Sequence, residues 1–288
     1  MRNFKVLSFT KLVVAFLILS FGQLSNSLAA GQTCQDMQKA LYSKSVIKIR
    51  MVFGYKDARP ARFVGDRHER LAFIERVTQP CEVASDMDFT SSKKSNSKET
   101  CGFTRSPENA DLFMKHITVA GKDKKILLWV VNSSVGTDDQ ENKTDPFQAW
   151  KSKYAQQAFL TGLKDADVVF YNGHSRFGGG PDFTSPDLAE DGTVDPAGYQ
   201  ETRPGLTKLL SSLEEVRRPK DSPFKRLKIL GLFSCSSSQH FNNEIRKVSR
   251  AGLVSSHVLM YYSDALNQSL NSLNAVLTKS CPKSLTFN

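Results

Sequence analysis

Apolar and polar positions give the chain two textures. From residue 45 to about 120, short apolar stretches alternate with polar ones, and VIKIRMVFGY (46–55), RLAFIERV (70–77) and DLFMKHITV (111–119) read as strands between loops. The pattern changes from residue 125. KILLWVV (125–131) is a continuous apolar, β-branched run of the kind buried on both faces of a parallel sheet. Further strands are predicted at DVVFY (167–171), LKILGLF (227–233) and SSHVLMYY (255–262). Each is followed by a helical pattern. DPFQAWKSKYAQQAFLTGLK (145–164) offers Asp145 as N-cap and Pro146 at the first helical position, with Phe147, Trp150, Tyr154 and Ala158 on one face. RPGLTKLLSSLEEV (203–216) aligns Leu206, Leu209, Leu210 and Leu213, and HFNNEIRKVSR (240–250) and SDALNQSLNSLNAVLTK (263–279) complete the series.

Alternation of this length implies β-α-β crossovers, hence an α/β fold with a mostly parallel sheet flanked by helices over residues 121–288. A β-rich N-terminal region over 31–120 precedes it. In such a sheet every strand-to-helix loop opens on one edge, where sites assemble.

The first thirty residues stand apart. Arg2, Lys5 and Lys11 precede the apolar run LVVAFLIL, and SNSLAA supplies small residues for cleavage, so residues 1–30 read as a secretory signal peptide. The apolar run is shorter than a bilayer requires, and no later segment comes close. A secreted or periplasmic location follows, with no membrane span. Removing the signal lowers the formal charge from +10 to +7. The basic residues are scattered, with clusters at 91–98, 122–125 and 217–228, and no aromatic interleaving or nucleic-acid motif accompanies them. They read as a solvated surface rather than a nucleic-acid groove, capable of loose attraction to an anionic cell envelope.

An exported chain meets an oxidising compartment, and five cysteines leave one thiol over. Cys81 and Cys101 bracket a polar loop, while Cys34 and Cys281 sit near the two ends of the mature chain, which often lie together in a domain. Those pairings leave Cys235. Four cysteines still allow three connectivities, and a lone thiol has an ordinary use as a small buried hydrophobe.

The leftover cysteine nevertheless follows a strand, as His174 does. ADVVFYNGHSRFGGGPDF (166–183) runs an apolar strand into a histidine, and LKILGLFSCSSSQHF runs another into Cys235. A thiolate attacks, and a nearby imidazole takes or gives a proton. Small neighbours, Gly173 and Ser175 beside the histidine and Ser234 and Ser236 beside the cysteine, allow close approach of a substrate backbone. The N–H groups of Ser175 and Cys235 are candidates for an oxyanion hole.

A strand ending in Gly-His, then a crossover and a strand ending in Ser-Cys, resembles the caspase, legumain and gingipain superfamily (clan CD) of cysteine peptidases. The resemblance covers roughly 125 to 280 and extends to SSHVLMYYSDAL, similar to the strand that helps form the specificity pocket in caspase-like chains. It implies a caspase-like three-layer sandwich, His174 as catalytic histidine, Cys235 as nucleophile, and substrate contacts at Gly173, Arg176, Asp182, Ser234, Tyr262 and Ser263. Ser175 stands where the superfamily usually has the glycine whose N–H lines the oxyanion hole. The Asn-Gly-His-Ser form is similar to a looser fringe of secreted bacterial members.

Other features carry weaker chemistry. Gly178–Gly180 lack the Lys-Ser or Lys-Thr of a phosphate cradle and suit a loop that closes over substrate. His174, Cys235 and His240 fall short of the four ligands of a structural zinc site. Asp138, Asp139 and Glu141, with Asp182, read either as recognition of a cation or as a solvated loop. The expectation is an exported hydrolase of peptide or protein substrates that needs no cofactor and proceeds through a thioester. The alternatives are an inactive relative binding peptide or glycan, and a thiol amidase or transpeptidase on cell-wall peptides.

Overall fold

The computed structural model describes residues 33–56, 64–81, 100–187, 205–213 and 223–287. The expected signal peptide, the basic stretch 91–98 and residues 217–222 lie outside them. Residues Thr33–Asn288 form one compact unit.

Five parallel strands make the centre of an eight-stranded sheet: β4 (Lys122–Asn132), β1 (Val46–Phe53), β5 (Val168–Asn172), β6 (Ile229–Phe233) and β7 (Gly252–Ser255), in that spatial order. β2 (Thr104–Arg105) and β3 (Leu112–Val119) extend it antiparallel beyond β4, and β8 (Leu285–Thr286) does so beyond β7. Seven α-helices are found among the described residues: α1 (Cys34–Tyr42), α2 (Gly65–Thr78), α3 (Asp139–Thr144), α4 (Gln148–Asp165), α5 (Gly205–Ser211), α6 (Ser237–Val248) and α7 (Tyr262–Leu277).

Alternation along the strands sends side chains to two cores. Ile47, Ile49, Met51 and Phe53 of β1, with Val168 and Phe170 of β5, meet Met37 and Leu41 of α1, Phe73 and Val77 of α2, and Leu273 and Val276 of α7. The opposite face sends Val52, Val169 and Tyr171 against Phe159 of α4, Leu206 and Leu210 of α5, and Phe241 and Ile245 of α6. Each fully buried aliphatic or aromatic side chain contributes about 1.5–3 kcal/mol. The result is three layers, an α/β fold with one mostly parallel sheet.

Several local expectations change. No boundary falls near residue 120, because β1 pairs with both β4 and β5 in mid-sheet. RLAFIERV is helical and lies within α2, with Phe73, Ile74 and Val77 buried. α4 begins at Gln148, and the Asp145 carboxylate instead takes the Phe147 N–H at 2.7 Å. Its buried face carries Ala155, Phe159, Leu160 and Leu163; Phe147 and Trp150 are exposed, Trp150 stacking on Tyr154. SSHVLMYY contributes only its first residue to β7, and Val258, Leu259 and Tyr261 project outward. Cys34 pairs with Cys281 and Cys81 with Cys101, leaving Cys235 free. No helix among the described residues is long and apolar enough to cross a membrane.

Candidate functional site

The register of the central strands brings His174 and Cys235 to one edge. Asn172 of β5 is paired with Phe233 of β6, and His174 and Cys235 each lie two residues beyond that pair. The Gly173 N–H reaches the Phe233 carbonyl at 3.4 Å, prolonging the ladder by a step. On the other flank Asn172 is paired with Phe53, the last residue of β1. From β1 the chain turns into α2 on one face, and from β5 toward α5 on the other. The carboxyl ends of β1 and β5 therefore part at a switch point, the usual place for a crevice in an open α/β sheet.

Tyr171 organises the turn after β5. Its hydroxyl donates to the His174 carbonyl at 2.9 Å and accepts the Asp182 N–H at 2.7 Å. A Cβ on Gly173 would lie 2.2 Å from that hydroxyl, so glycine here is a steric requirement of the turn. Arg176 and Phe177 have φ of 46° and 51°, a costly conformation for non-glycine residues. The turn is held by the Arg176 guanidinium on the Asp182 carboxylate at 2.8 Å, whose side chain is fully buried. Asp182 thus faces inward and pairs with Arg176, and Phe177 stands 84 % exposed at the rim.

Cys235 is partly exposed and is followed by Ser236 at φ 47°, so the chain turns sharply into α6. Its sulfur accepts the Met260 N–H at 3.4 Å and lies 3.6 Å from the Met260 carbonyl. The Ser236 N–H goes to the Val258 carbonyl at 2.9 Å, which binds the 256–261 segment alongside the thiol. Among the described residues, the backbone N–H groups of Ser175 and Cys235 donate to no protein group. Ser234 is buried. Tyr262 opens α7 with its ring 6.2 Å from the His174 ring, edge-on, and Ser263 is exposed.

Beneath this edge lies a buried ionic cluster that the sequence did not reveal. Lys56, three residues past β1, is 1 % exposed. Its ammonium contacts the Glu69 carboxylate at 2.5 Å, the Asn172 amide oxygen, and the Tyr262 ring at 4.7 Å from the centroid. Burial pulls the Lys56 pKa down, and Glu69 chiefly opposes this, with smaller help from Asp66 and Cys235. Burial likewise pushes Glu69 up, with Lys56 opposing. The Asn172 amide lies near Glu69 and favours its ionised form, although Asn172 Nδ2 and Glu69 Oε1 stop short of a full hydrogen bond. Asp66 accepts the N–H groups of Ser133 and Ser134 at 3.1 and 2.9 Å, yet its complete burial dominates and pushes its pKa up to about 6.

The acidic loop after β4 has local duties. Asp138 caps α3 through the Glu141 N–H, Asp139 is buried and accepts the Tyr55 hydroxyl at 2.7 Å, and Glu141 holds the Thr137 N–H and hydroxyl. Each of these carboxylates thus holds a nearby backbone or hydroxyl donor. His257 bonds to Ser238 at 2.8 Å. Among the described residues no group of three or more His, Cys, Asp or Glu side chains is arranged to hold a metal ion. A cavity of about 670 Å³ lies between β3 and the end of α7, lined by Lys115–Ala120 and Leu277–Lys279, away from the carboxyl edge.

Comparison with protein-family profiles and with curated proteins finds no match to this chain.

Proposed function

We propose that the chain is an exported cysteine-dependent hydrolase of peptide or amide bonds, similar in plan to the caspase-like peptidases. The observation that carries this reading is the register of β5 and β6, which sets one imidazole and one free thiol equally far past paired residues on adjacent parallel strands. Export is supported by the pattern of residues 1–30 and by two disulfides, which persist in oxidising compartments.

In the proposed reaction the Cys235 sulfur, as thiolate, attacks the carbonyl carbon and forms a C–S bond. The carbonyl electron pair moves to oxygen, which receives the N–H groups of Cys235 and Ser175. Collapse breaks the C–N bond, His174 delivers a proton to the leaving amine, and a thioester remains. Water then attacks the thioester while His174 takes its proton; collapse of this second tetrahedral intermediate breaks the C–S bond, releases the acid and restores the Cys235 thiolate with His174 protonated, as at the start. Losing one oxyanion donor typically costs about 2.7–4 kcal/mol of barrier.

The test is covalent trapping. The mature protein is incubated near neutral pH with iodoacetamide and with peptidyl electrophiles, and the labelled residue is mapped. Labelling of Cys235 well above the rate of free cysteine, lost in His174→Ala, is the expected result. A Cys235 no more reactive than free cysteine, or unaffected by His174→Ala, would overturn the reading. A second reading, a cleft that binds peptide without cutting it, is favoured by Phe177, Val258, Leu259 and Tyr261, large apolar side chains exposed on segments that leave this edge. Peptide binding without turnover, with an unreactive Cys235, would decide for it.

A further inference from the structure

A backbone N–H is directed by whatever holds the carbonyl of its own peptide, because the two groups share one plane and, across a trans bond, point in opposite directions. The His174–Ser175 peptide is trans. Its carbonyl oxygen, that of His174, accepts the hydroxyl of Tyr171 at 2.9 Å, and Tyr171 belongs to the core that packs against α4 and α5. The Ser175 N–H is therefore turned away from that hydroxyl, and among the described residues it donates to no protein group. The peptide of the other proposed oxyanion donor is built alike. The Ser234 carbonyl accepts the Ser237 N–H at 3.3 Å, which turns the Cys235 N–H the opposite way. There the start of α6 does the holding; at Ser175 a side chain does.

The Tyr171 hydroxyl has little freedom of its own. It accepts the Asp182 N–H at 2.7 Å, and its ring packs edge-on against Phe159 and Phe183. The Asp182 carbonyl lies 3.3 Å from it, but that oxygen already accepts the Tyr55 N–H at 2.9 Å, so the one hydroxyl proton goes to the nearer oxygen of His174. Glycines at the ends of β1 and β5 clear the space: a Cβ would lie 2.5 Å from the hydroxyl on Gly54 and 2.2 Å on Gly173. The carbonyl is confined as well, since a Cβ on Gly180 would lie 2.6 Å from the His174 oxygen. The next peptide is fixed too, its Ser175 carbonyl accepting the N–H groups of Gly178 and Gly180 at 3.0 and 2.9 Å.

We infer that Tyr171 is a positioning residue for the oxyanion: its hydroxyl fixes the 174–175 peptide so that the Ser175 N–H is held out toward the substrate carbonyl. The inference rests on the reading of Cys235 as the attacking thiol. A hydrogen bond to an amide oxygen also polarises the N–H of the same amide and strengthens it as a donor. A donor preorganised in this way stabilises charge as it develops, with no reorganisation at the moment of reaction. Ser175 itself has φ −87° and ψ −20°, a conformation open to any residue, so a serine where caspase-like chains have glycine leaves this donor intact.

The experiment compares two reactions of one sulfur. p-Nitrophenyl acetate acylates Cys235 through a tetrahedral oxyanion, forming a C–S bond and expelling p-nitrophenolate. Iodoacetamide alkylates it by displacing iodide, with no oxyanion. Both consume the same thiolate, so changes in its population or exposure cancel in the ratio of the two rates. In Tyr171→Phe the ratio of acylation to alkylation falls at least about tenfold, toward the roughly 10²–10³ of a lost oxyanion donor. An unchanged ratio in folded Tyr171→Phe, with both reactions slowed alike or not at all, would overturn the inference. Should Tyr171→Phe not fold, Ser175→Pro decides, because it deletes the N–H at a φ close to that of proline. Its ratio is expected to fall by about 10²–10³ as well, and an unchanged one would overturn the inference. A wild type that is alkylated but never acylated defeats the hydrolase reading and this inference together, whereas acylation indifferent to Tyr171→Phe defeats the inference alone.

Discussion

The Tyr171 hydroxyl donates to the carbonyl oxygen of His174 at 2.9 Å, three residues along the same turn, while accepting the backbone N–H of Asp182 at 2.7 Å. One buried oxygen thus ties the imidazole-bearing turn to the end of the Gly178–Gly180 loop. Tyr171→Phe leaves the buried Asp182 N–H without its acceptor, which costs about 1–3 kcal/mol. Urea denaturation should show that loss, together with slower alkylation of Cys235 as His174 gains freedom.

Gly173→Ala should be worse than Gly121→Ala, for a different reason. A Cβ at 173 would sit 2.2 Å from the Tyr171 hydroxyl and 2.4 Å from its Cζ, so the ring or the turn must move, at about 1–3 kcal/mol or more. Gly121 has φ +71° with nothing within 4 Å, so only backbone strain of about 1–2 kcal/mol applies. Thermal melts of the two variants rank them, and equal shifts would refute the steric account of Gly173.

The two disulfides should differ in worth. Cys34–Cys281 spans 247 residues and Cys81–Cys101 spans 20, and loop-closure entropy gives about 5 and about 3 kcal/mol respectively. Chemical denaturation of Cys34→Ala/Cys281→Ala and Cys81→Ala/Cys101→Ala under non-reducing conditions measures both. Thiol titration of the denatured, unreduced wild type should return one thiol per chain, that of Cys235.

Asp66 makes stability depend on pH in an unusual sense. Its pKa rises from 3.8 to about 6 in the folded chain. A raised folded value means its contribution is fully present below pH 3.8 and is lost as pH rises through 6, about 3 kcal/mol in all. The difference in unfolding free energy between wild type and Asp66→Asn should therefore move against wild type between about pH 4 and 6. A flat difference across that window would show that the Ser133 and Ser134 donors fully offset burial.

Two strands buried at every position were the most legible. β5 and β6 stand where continuous apolar runs predicted them, because a strand covered on both faces has no polar positions to confuse its period. β4 also stands where its apolar run predicted it, although alternate residues are only partly buried, while β7, buried throughout, is too short a run to stand out. The same logic put His174 and Cys235 at strand ends. The two helical misreadings came where one side of an element is wet. In α2, the apolar Leu71–Ile74 segment is short enough to read as strand, and only the burial of Phe73 and Val77 beside exposed Leu71 shows a helical period. In α4, Trp150 suggested the inner face by its size, but it stands exposed and stacks on a partly buried Tyr154 while smaller Ala155 turns inward. Val258, Leu259 and Tyr261 looked like core for the same reason.

The ionic cluster was illegible for a different cause. Lysine, glutamate and aspartate are overwhelmingly surface residues, so nothing local marks Lys56, Asp66 or Glu69 as interior. One signal was available: Lys56 follows the apolar run VIKIRMVFGY as His174 follows DVVFY, a polar residue at the end of a buried strand. Which partner it meets depends on three segments closing together, and no single stretch of sequence contains that.

The order of the strands has a consequence for assembly. Lys56, His174, Cys235 and Tyr262 come from four stretches scattered over two hundred residues, and their strands become neighbours only after the chain doubles back across β1. A nascent or half-folded polypeptide therefore keeps Cys235 and His174 apart, and only the finished sheet seats both on a common margin.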